Sequence, residues 1–79
     1  MPAARAETTR QQIAERITVA LIPGAADDLR QLVTSTGLSK TDVVNRAIGL
    51  YRFIDAQQRA GHDLIIRDSS GQTQLVKFL

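Results

Sequence analysis

The fold is decided by Arg16-Ile17-Thr18-Val19-Ala20-Leu21, a strand-like stretch in a chain that otherwise looks helical. Side chains alternate along a strand, so its apolar residues share one face and Arg16, Thr18 and Ala20 share the other. A lone strand cannot satisfy its own backbone hydrogen-bonding groups, and no strand-like run precedes it closely enough to form a hairpin. The stretch therefore predicts a homodimer in which the strands of two copies pair antiparallel across a two-fold axis.

Length and composition restrict the kinds of site that the chain can build. At 79 residues it is one small domain near the lower limit for burying an adequate core alone, and dimerisation relieves that limit. It has no cysteine and only one histidine, His62, so we expect no metal site, no cofactor and no Ser-His-Asp or Cys-His arrangement. The carboxylates are spread over helix starts and turns. An enzyme is therefore not expected.

The charge balance does not by itself identify a partner. Ten Lys and Arg against eight Asp and Glu give a formal net charge of +2, too small to predict nucleic-acid binding without a favourable distribution. No apolar run approaches the length of a membrane span, and the N-terminus lacks a signal-peptide hydrophobic region. We therefore expect a soluble cytoplasmic protein that has no contact with a membrane.

Residues 1–15 have little to bury and are interpreted as a flexible N-terminal arm. Arg5 and Arg10 on this arm could reach phosphates or a minor groove if the domain binds DNA. A solvated tail without a role is the alternative.

The first predicted helix follows the strand. Pro23 fits its first turn, because proline lacks the N–H that would be unsatisfied there, and Gly37 fits a left-handed residue that ends it. Asp27 and Asp28 are expected in the first turns, where they would favour the positive end of the helix dipole. The core-facing stripe has a spacing of three and four residues and consists of Ala25, Leu29, Leu32, Val33 and Thr36.

The second predicted helix is opened by Leu38-Ser39-Lys40-Thr41-Asp42, with Ser39 as N-cap and Asp42 in the position of a capping-box acid, and Gly61 ends it. His62 is expected to interact with the free carbonyls at this helix end. The apolar arc of the helix is broader than one short partner helix can cover, which again indicates a second subunit. It comprises Val43, Val44, Ala47, Ile48, Leu50, Tyr51, Phe53 and Ile54.

The last stretch, residues 61–79, is predicted to form a β-hairpin. The runs 64–67 and 74–79 are strand-like, and residues 68–72 between them have turn composition. The hairpin either braces the dimer or presents a surface through which dimers assemble further on adjacent DNA sites, and the sequence leaves both open.

The order of strand, helix, Gly-Leu-Ser-Lys-Thr and helix over residues 16–60 resembles the ribbon-helix-helix family of DNA-binding proteins, the MetJ/Arc superfamily and its CopG-like branch. The resemblance implies a mainly α fold with short β segments: a ribbon-helix-helix homodimer with an intermolecular antiparallel two-stranded ribbon, here extended by the C-terminal hairpin. It also implies double-stranded DNA as partner and a transcriptional repressor as function.

The resemblance assigns roles to particular residues. Arg16, Thr18 and Ala20 would contact base edges in the major groove, and the N-terminus of the second helix, Ser39-Lys40-Thr41, would bind phosphate. Arginine can bond guanine O6 and N7 and threonine suits several base edges, whereas Ala20 departs from the polar residue often found there and could only pack on a thymine methyl. A helix N-terminus binds anions through its free N–H groups and dipole.

Each role has a simpler alternative. Ser39 caps a helix in any helical protein, Lys40 could be an ordinary solvated charge, and Arg16 and Thr18 could be the polar face of an edge strand. The alternative function is a protein-interaction module, such as an antitoxin or a plasmid or phage maintenance protein, that uses the same dimer fold with the hairpin or the arm on a protein partner.

Overall fold

The computed structural model describes residues 12–77, which form two α-helices and a two-stranded antiparallel sheet. These residues divide into two compact units, one that ends at Val43 and one that begins at Val44. Helix α2 begins in the first unit and continues into the second. The expected combination of helices with short β segments is confirmed. The elements are α1 (Pro23–Thr36), α2 (Lys40–Arg59), β1 (Leu64–Arg67) and β2 (Thr73–Val76).

Residues 12–22 form neither helix nor strand in the single chain, and all of them are exposed. Ile22 has an extended backbone, with φ −68° and ψ 159°, immediately before α1. The pairing of residues 16–21 with a second copy stays a prediction, because a strand that pairs only between chains has no ladder within one chain.

The predicted ends of α1 are confirmed. Pro23 is its first residue, and the Ala26 N–H donates to the Ile22 carbonyl at 2.9 Å. At the other end Gly37 has φ 71° and donates its N–H to the Val33 carbonyl at 3.0 Å. A left-handed glycine satisfies a carbonyl that has no partner within the helix, so the chain turns there without a steric penalty.

The predicted role of Asp27 and Asp28 at the helix dipole is wrong. Because α1 begins at Pro23, its first turn holds no acidic residue, and the influence of the dipole fades beyond that turn. Asp27 instead forms an exposed ion pair with Arg30, three residues further along the helix. Such a surface pair contributes about 0.2–1 kcal/mol at most.

The end of α2 is fixed by backbone hydrogen bonds around Gly61, which has φ 84°. The Gly61 N–H donates to the Gln58 carbonyl and the His62 N–H to the Gln57 carbonyl, each at 3.0 Å. This pair of bonds is the Schellman arrangement that ends many helices. The predicted interaction of His62 with free carbonyls is thus made by its backbone N–H. Its ring contacts the Gln57 side chain instead, with Nδ1 2.7 Å from the side-chain oxygen.

The hairpin pairs Leu64 with Val76 and Arg67 with Thr73 at its two ends. β2 begins one residue before the predicted Gln74 and ends at Val76, while Phe78 and Leu79 lie outside the described residues. Both strands are therefore short and of equal length, which matches a hairpin closed by a tight turn.

Asp68 organises that turn. Its Oδ1 accepts hydrogen bonds from the Ser70 hydroxyl at 2.7 Å, the Ser70 N–H at 2.9 Å and the Gln72 N–H at 3.0 Å. The bond from the Ser70 hydroxyl, followed by those from the backbone, lowers the pKa of the Asp68 carboxyl. Gly71, with φ 93°, occupies the left-handed position that such a turn requires.

Candidate nucleic-acid interface

All the described residues with a predicted DNA contact lie in the compact unit that ends at Val43. They form two groups, the alternate residues of 16–21 and the N-terminus of α2. Arg5 and Arg10, the predicted arm contacts, lie outside the described residues.

In the strand-like segment both sets of alternating side chains are exposed. Arg16, Thr18 and Ala20 are exposed, as base-contacting residues must be. The apolar set is exposed as well, at 61% for Ile17, 60% for Val19 and 47% for Leu21. Three alternating apolar side chains left in water are typical of a surface that a partner covers.

The second group lies at the start of α2. Ser39 is the N-cap as predicted, because its hydroxyl oxygen accepts the Asp42 N–H at 3.0 Å and its carbonyl accepts the Val43 N–H at 2.9 Å. Lys40 and Thr41 are the first two residues of the helix, and their side chains are exposed. A cation next to a helix N-terminus can bind a phosphate both by charge and by backbone N–H groups.

Asp42 makes this helix end less favourable for binding a phosphate. It lies in the first turn of α2, where a carboxylate interacts favourably with the helix dipole, and only 5% of its surface is exposed. A carboxylate there offsets part of the positive potential that a phosphate would meet. An anion at this helix end therefore depends on the Lys40 charge more than it would at an end without an acid.

The apolar arc of α2 is exposed over most of its length. Val43 and Ile54 are the buried apolar residues among those described, one in each compact unit. Tyr51 is 62% exposed, so it does not belong to a core of the single chain. The large exposed side chains of the arc, which we call the α2 apolar surface, are Val44, Ile48, Leu50, Tyr51 and Phe53.

Other kinds of site find little support in the part of the chain that the structure describes. No group of three or more His, Cys, Asp or Glu could hold a metal ion there. Neither helix combines the length and the apolar character needed to cross a membrane.

Comparisons with protein-family models, with curated proteins and with solved structures returned no match. Inferences about function therefore rest on the residues themselves and their placement.

Sequence reasoning located the helix N-terminus and its cap but missed two features. The first is the burial of Asp42, which depends on packing around the connection between α1 and α2. In the sequence only the capping-box spacing indicated Asp42. The second feature is the outward edge of β1, whose composition was visible in Asp63-Leu-Ile-Ile-Arg67 but whose orientation requires the hairpin register.

Proposed function

We propose that this chain is a ribbon-helix-helix transcriptional repressor that binds operator DNA as a homodimer. In this proposal the segments 16–21 of two copies pair antiparallel, and the resulting ribbon enters the major groove with Arg16, Thr18 and Ala20 against the bases. Ser39-Lys40-Thr41 of each copy binds the phosphate backbone. The proposed place of action is the cytoplasm.

The observation that carries the proposal is the alternation in residues 16–21. Its apolar members are 47–61% exposed in the single chain, and they would share a face on pairing. Ribbon pairing would cover Ile17, Val19 and Leu21 on one side and leave the polar side chains outward. The same segment then supplies the dimer contact and the surface that reads DNA.

The magnitudes indicate that the ribbon is not the whole interface. Burying a fully exposed apolar side chain contributes about 1.5–3 kcal/mol, so burying these half-exposed ones from two copies contributes roughly 5–10 kcal/mol. Association costs an estimated 4–15 kcal/mol in lost translational and rotational freedom. At best the ribbon alone would then contribute about 6 kcal/mol net, less than the roughly 8 kcal/mol of a micromolar dimer, so the α2 apolar surface is proposed as the rest of the dimer interface.

Fluorescence anisotropy with labelled duplexes from the upstream region of the protein's own gene tests the proposal. We expect tight binding to one duplex, weaker binding to a scrambled duplex, and an affinity that falls as salt rises, because phosphate contacts release counterions. Undetectable or salt-insensitive binding to every duplex would contradict the proposal.

Two substitutions separate the proposed base contact from the proposed phosphate contact. Arg16→Ala is expected to cost about 1–3 kcal/mol of discrimination at particular base pairs. Lys40→Ala is expected to weaken binding to all sequences alike and to reduce the slope of log affinity against log salt by about 2, one phosphate contact for each copy in the dimer. Anisotropy titrations on matched and mutated duplexes measure both.

Arg30→Ala is the matched control, because it removes the same charge from a residue that is paired with Asp27 on α1 and belongs to neither proposed contact group. It should leave discrimination and the salt slope unchanged. If all three variants lost affinity equally, the effect would be one of net charge and the residue assignments would be wrong.

A second candidate function is the protein-interaction module. The observation that favours it is the folded hairpin, whose Ile65, Ile66 and Leu75 are exposed. A stable complex with a protein encoded beside this gene, formed through the hairpin and unaffected by Arg16→Ala, would support this function over DNA binding.

A further inference from the structure

We propose that the outer edge of β1 pairs antiparallel with β1 of a second copy, in a register centred on Ile65, so that two hairpins join into one four-stranded sheet. This contact is distinct from the proposed ribbon of residues 16–21. It does not depend on DNA binding.

The hairpin register shows which backbone groups face outward. The Asp68 N–H donates to the Gln72 carbonyl at 2.8 Å, which continues the ladder that pairs Leu64 with Val76. Hydrogen-bonded and non-hydrogen-bonded pairs alternate in an antiparallel ladder. Ile66 therefore bonds to β2, whereas Ile65 and Arg67 direct their N–H and C=O groups away from β2.

β1 is apolar on both of its faces. Ile65 and Ile66 lie on opposite faces, and each is 57% exposed. An edge strand that stands alone in water usually carries charged or polar residues at such positions. An exposed edge strand with apolar side chains is a ready template for pairing with a strand of another chain.

Charge complementarity selects the register. With Ile65 opposite its own copy, Asp63 lies opposite Arg67 of the second copy at both ends of the paired segment. All of these residues have outward backbone groups, so their pairs together exchange about six hydrogen bonds. Opposite charges directly across a strand pair are stabilising, and like charges there are destabilising.

The outer edge of β2 offers no such match. By the same alternation Thr73, Leu75 and Lys77 face outward on that edge. A register centred on Leu75 would place Lys77 opposite Thr73, without an opposite charge. A lysine on an edge strand also discourages pairing, so the proposed contact is assigned to β1.

Cysteine cross-linking tests the contact directly, because the chain has no cysteine of its own. In the proposed register the two Ile65 residues form a hydrogen-bonded pair with Cα atoms about 5.5 Å apart, whose Cβ atoms are slightly too far apart for a relaxed disulfide but within reach of a short bifunctional thiol reagent. Ile65→Cys should therefore form a covalent dimer with such a reagent in the absence of DNA. Its rate should exceed that of random collision roughly a hundredfold, because pairing raises the effective thiol concentration to the millimolar range.

Leu75→Cys is the matched control. Leu75 is opposite Ile65 in the hairpin and 50% exposed, but in the four-stranded sheet its two copies are separated by three strand spacings, about 14 Å. That distance is too long for the same short reagent. If Leu75→Cys cross-linked as fast as Ile65→Cys, or if neither exceeded the collision rate, the proposed pairing would be overturned.

Charge exchange tests the register in the Ile65→Cys background. Asp63→Arg and Arg67→Asp each place like charges across both ends of the strand pair, so each variant should cross-link at least about fourfold more slowly alone. An equimolar mixture of the two restores opposite charges and should give predominantly mixed dimers by mass spectrometry. Equal rates for parent, single variants and mixture would overturn the register.

Discussion

At the residue scale, Asp68 shows how one carboxylate holds a turn together. Its oxygen accepts bonds from the Ser70 hydroxyl and from two backbone N–H groups, which replace the water that these groups would bind in an unfolded chain. The position was visible in the sequence as turn composition. The individual bonds were not, because they depend on where the strands stop pairing.

The lowered pKa of Asp68 predicts an acid sensitivity of the hairpin. A carboxyl whose pKa is lower in the folded state stabilises that state at pH values above its unfolded pKa of about 3.9, and this contribution is lost as pH falls through the folded value. We expect the amide resonances of Ser70 and Gln72 to shift toward unfolded values below about pH 4.

Asp68→Asn is the control for this prediction, since asparagine keeps an accepting oxygen but does not titrate. In that variant the same amide resonances should stay unchanged over the acid range. A transition that persists with the same midpoint would mean that another group causes it.

At the element scale, the helices are ended by residues next to them in the sequence, which is why their bounds could be predicted. Pro23, Gly37, Ser39 and Gly61 act through backbone geometry or bonds to residues three or four positions away. The role predicted for Asp27 was wrong because Asp27 lies beyond the first turn of α1, where the helix dipole has little effect. Its carboxylate pairs with Arg30 instead.

Ser39 allows the capping role to be separated from the proposed phosphate contact. Ser39→Ala should lower stability by about 1 kcal/mol, because the Asp42 N–H loses its acceptor. Ser39→Asp should keep the cap and therefore the stability, but its negative charge should repel DNA phosphate. Thermal denaturation and anisotropy on the same samples measure the two effects.

The contrast between the variants decides the assignment. If Ser39→Asp retained full DNA affinity, the N-terminus of α2 would not lie near the phosphate backbone, and capping would be the whole role of Ser39.

At the scale of the whole molecule, the sequence could not predict which residues of another chain cover each exposed surface. Local signals predicted both helices and the hairpin, but pairing of residues 16–21 and covering of the α2 apolar surface require atoms from another chain. The exposure of Ile17, Ile48 and Tyr51 is consistent with the predicted dimer without specifying its geometry.

Adjacent positions in the strand-like segment give opposite expectations for assembly. Val19→Glu should make the protein monomeric at micromolar concentration, because it would bury unpaired carboxylates at the centre of the proposed ribbon. Thr18→Glu places the same charge on the outward face, so it should leave the dimer intact and abolish DNA binding by repulsion. Sedimentation velocity and anisotropy measure the two outcomes. Equal effects of both variants on assembly would contradict the assignment of faces.

Pro23 limits the length of DNA sequence that the proposed ribbon can contact. Extended backbone ends at Ile22 because Pro23 begins α1, so the proposed ribbon of residues 16–21, about 20 Å of strand, cannot extend beyond that point. That length spans about six base pairs. A given six-base-pair sequence recurs by chance roughly once in four thousand positions, so a single dimer would find many chance matches in a genome. Copies joined through their β1 edges would contact several such six-base-pair sequences at once, and the spacing between these sequences would become part of the recognised site.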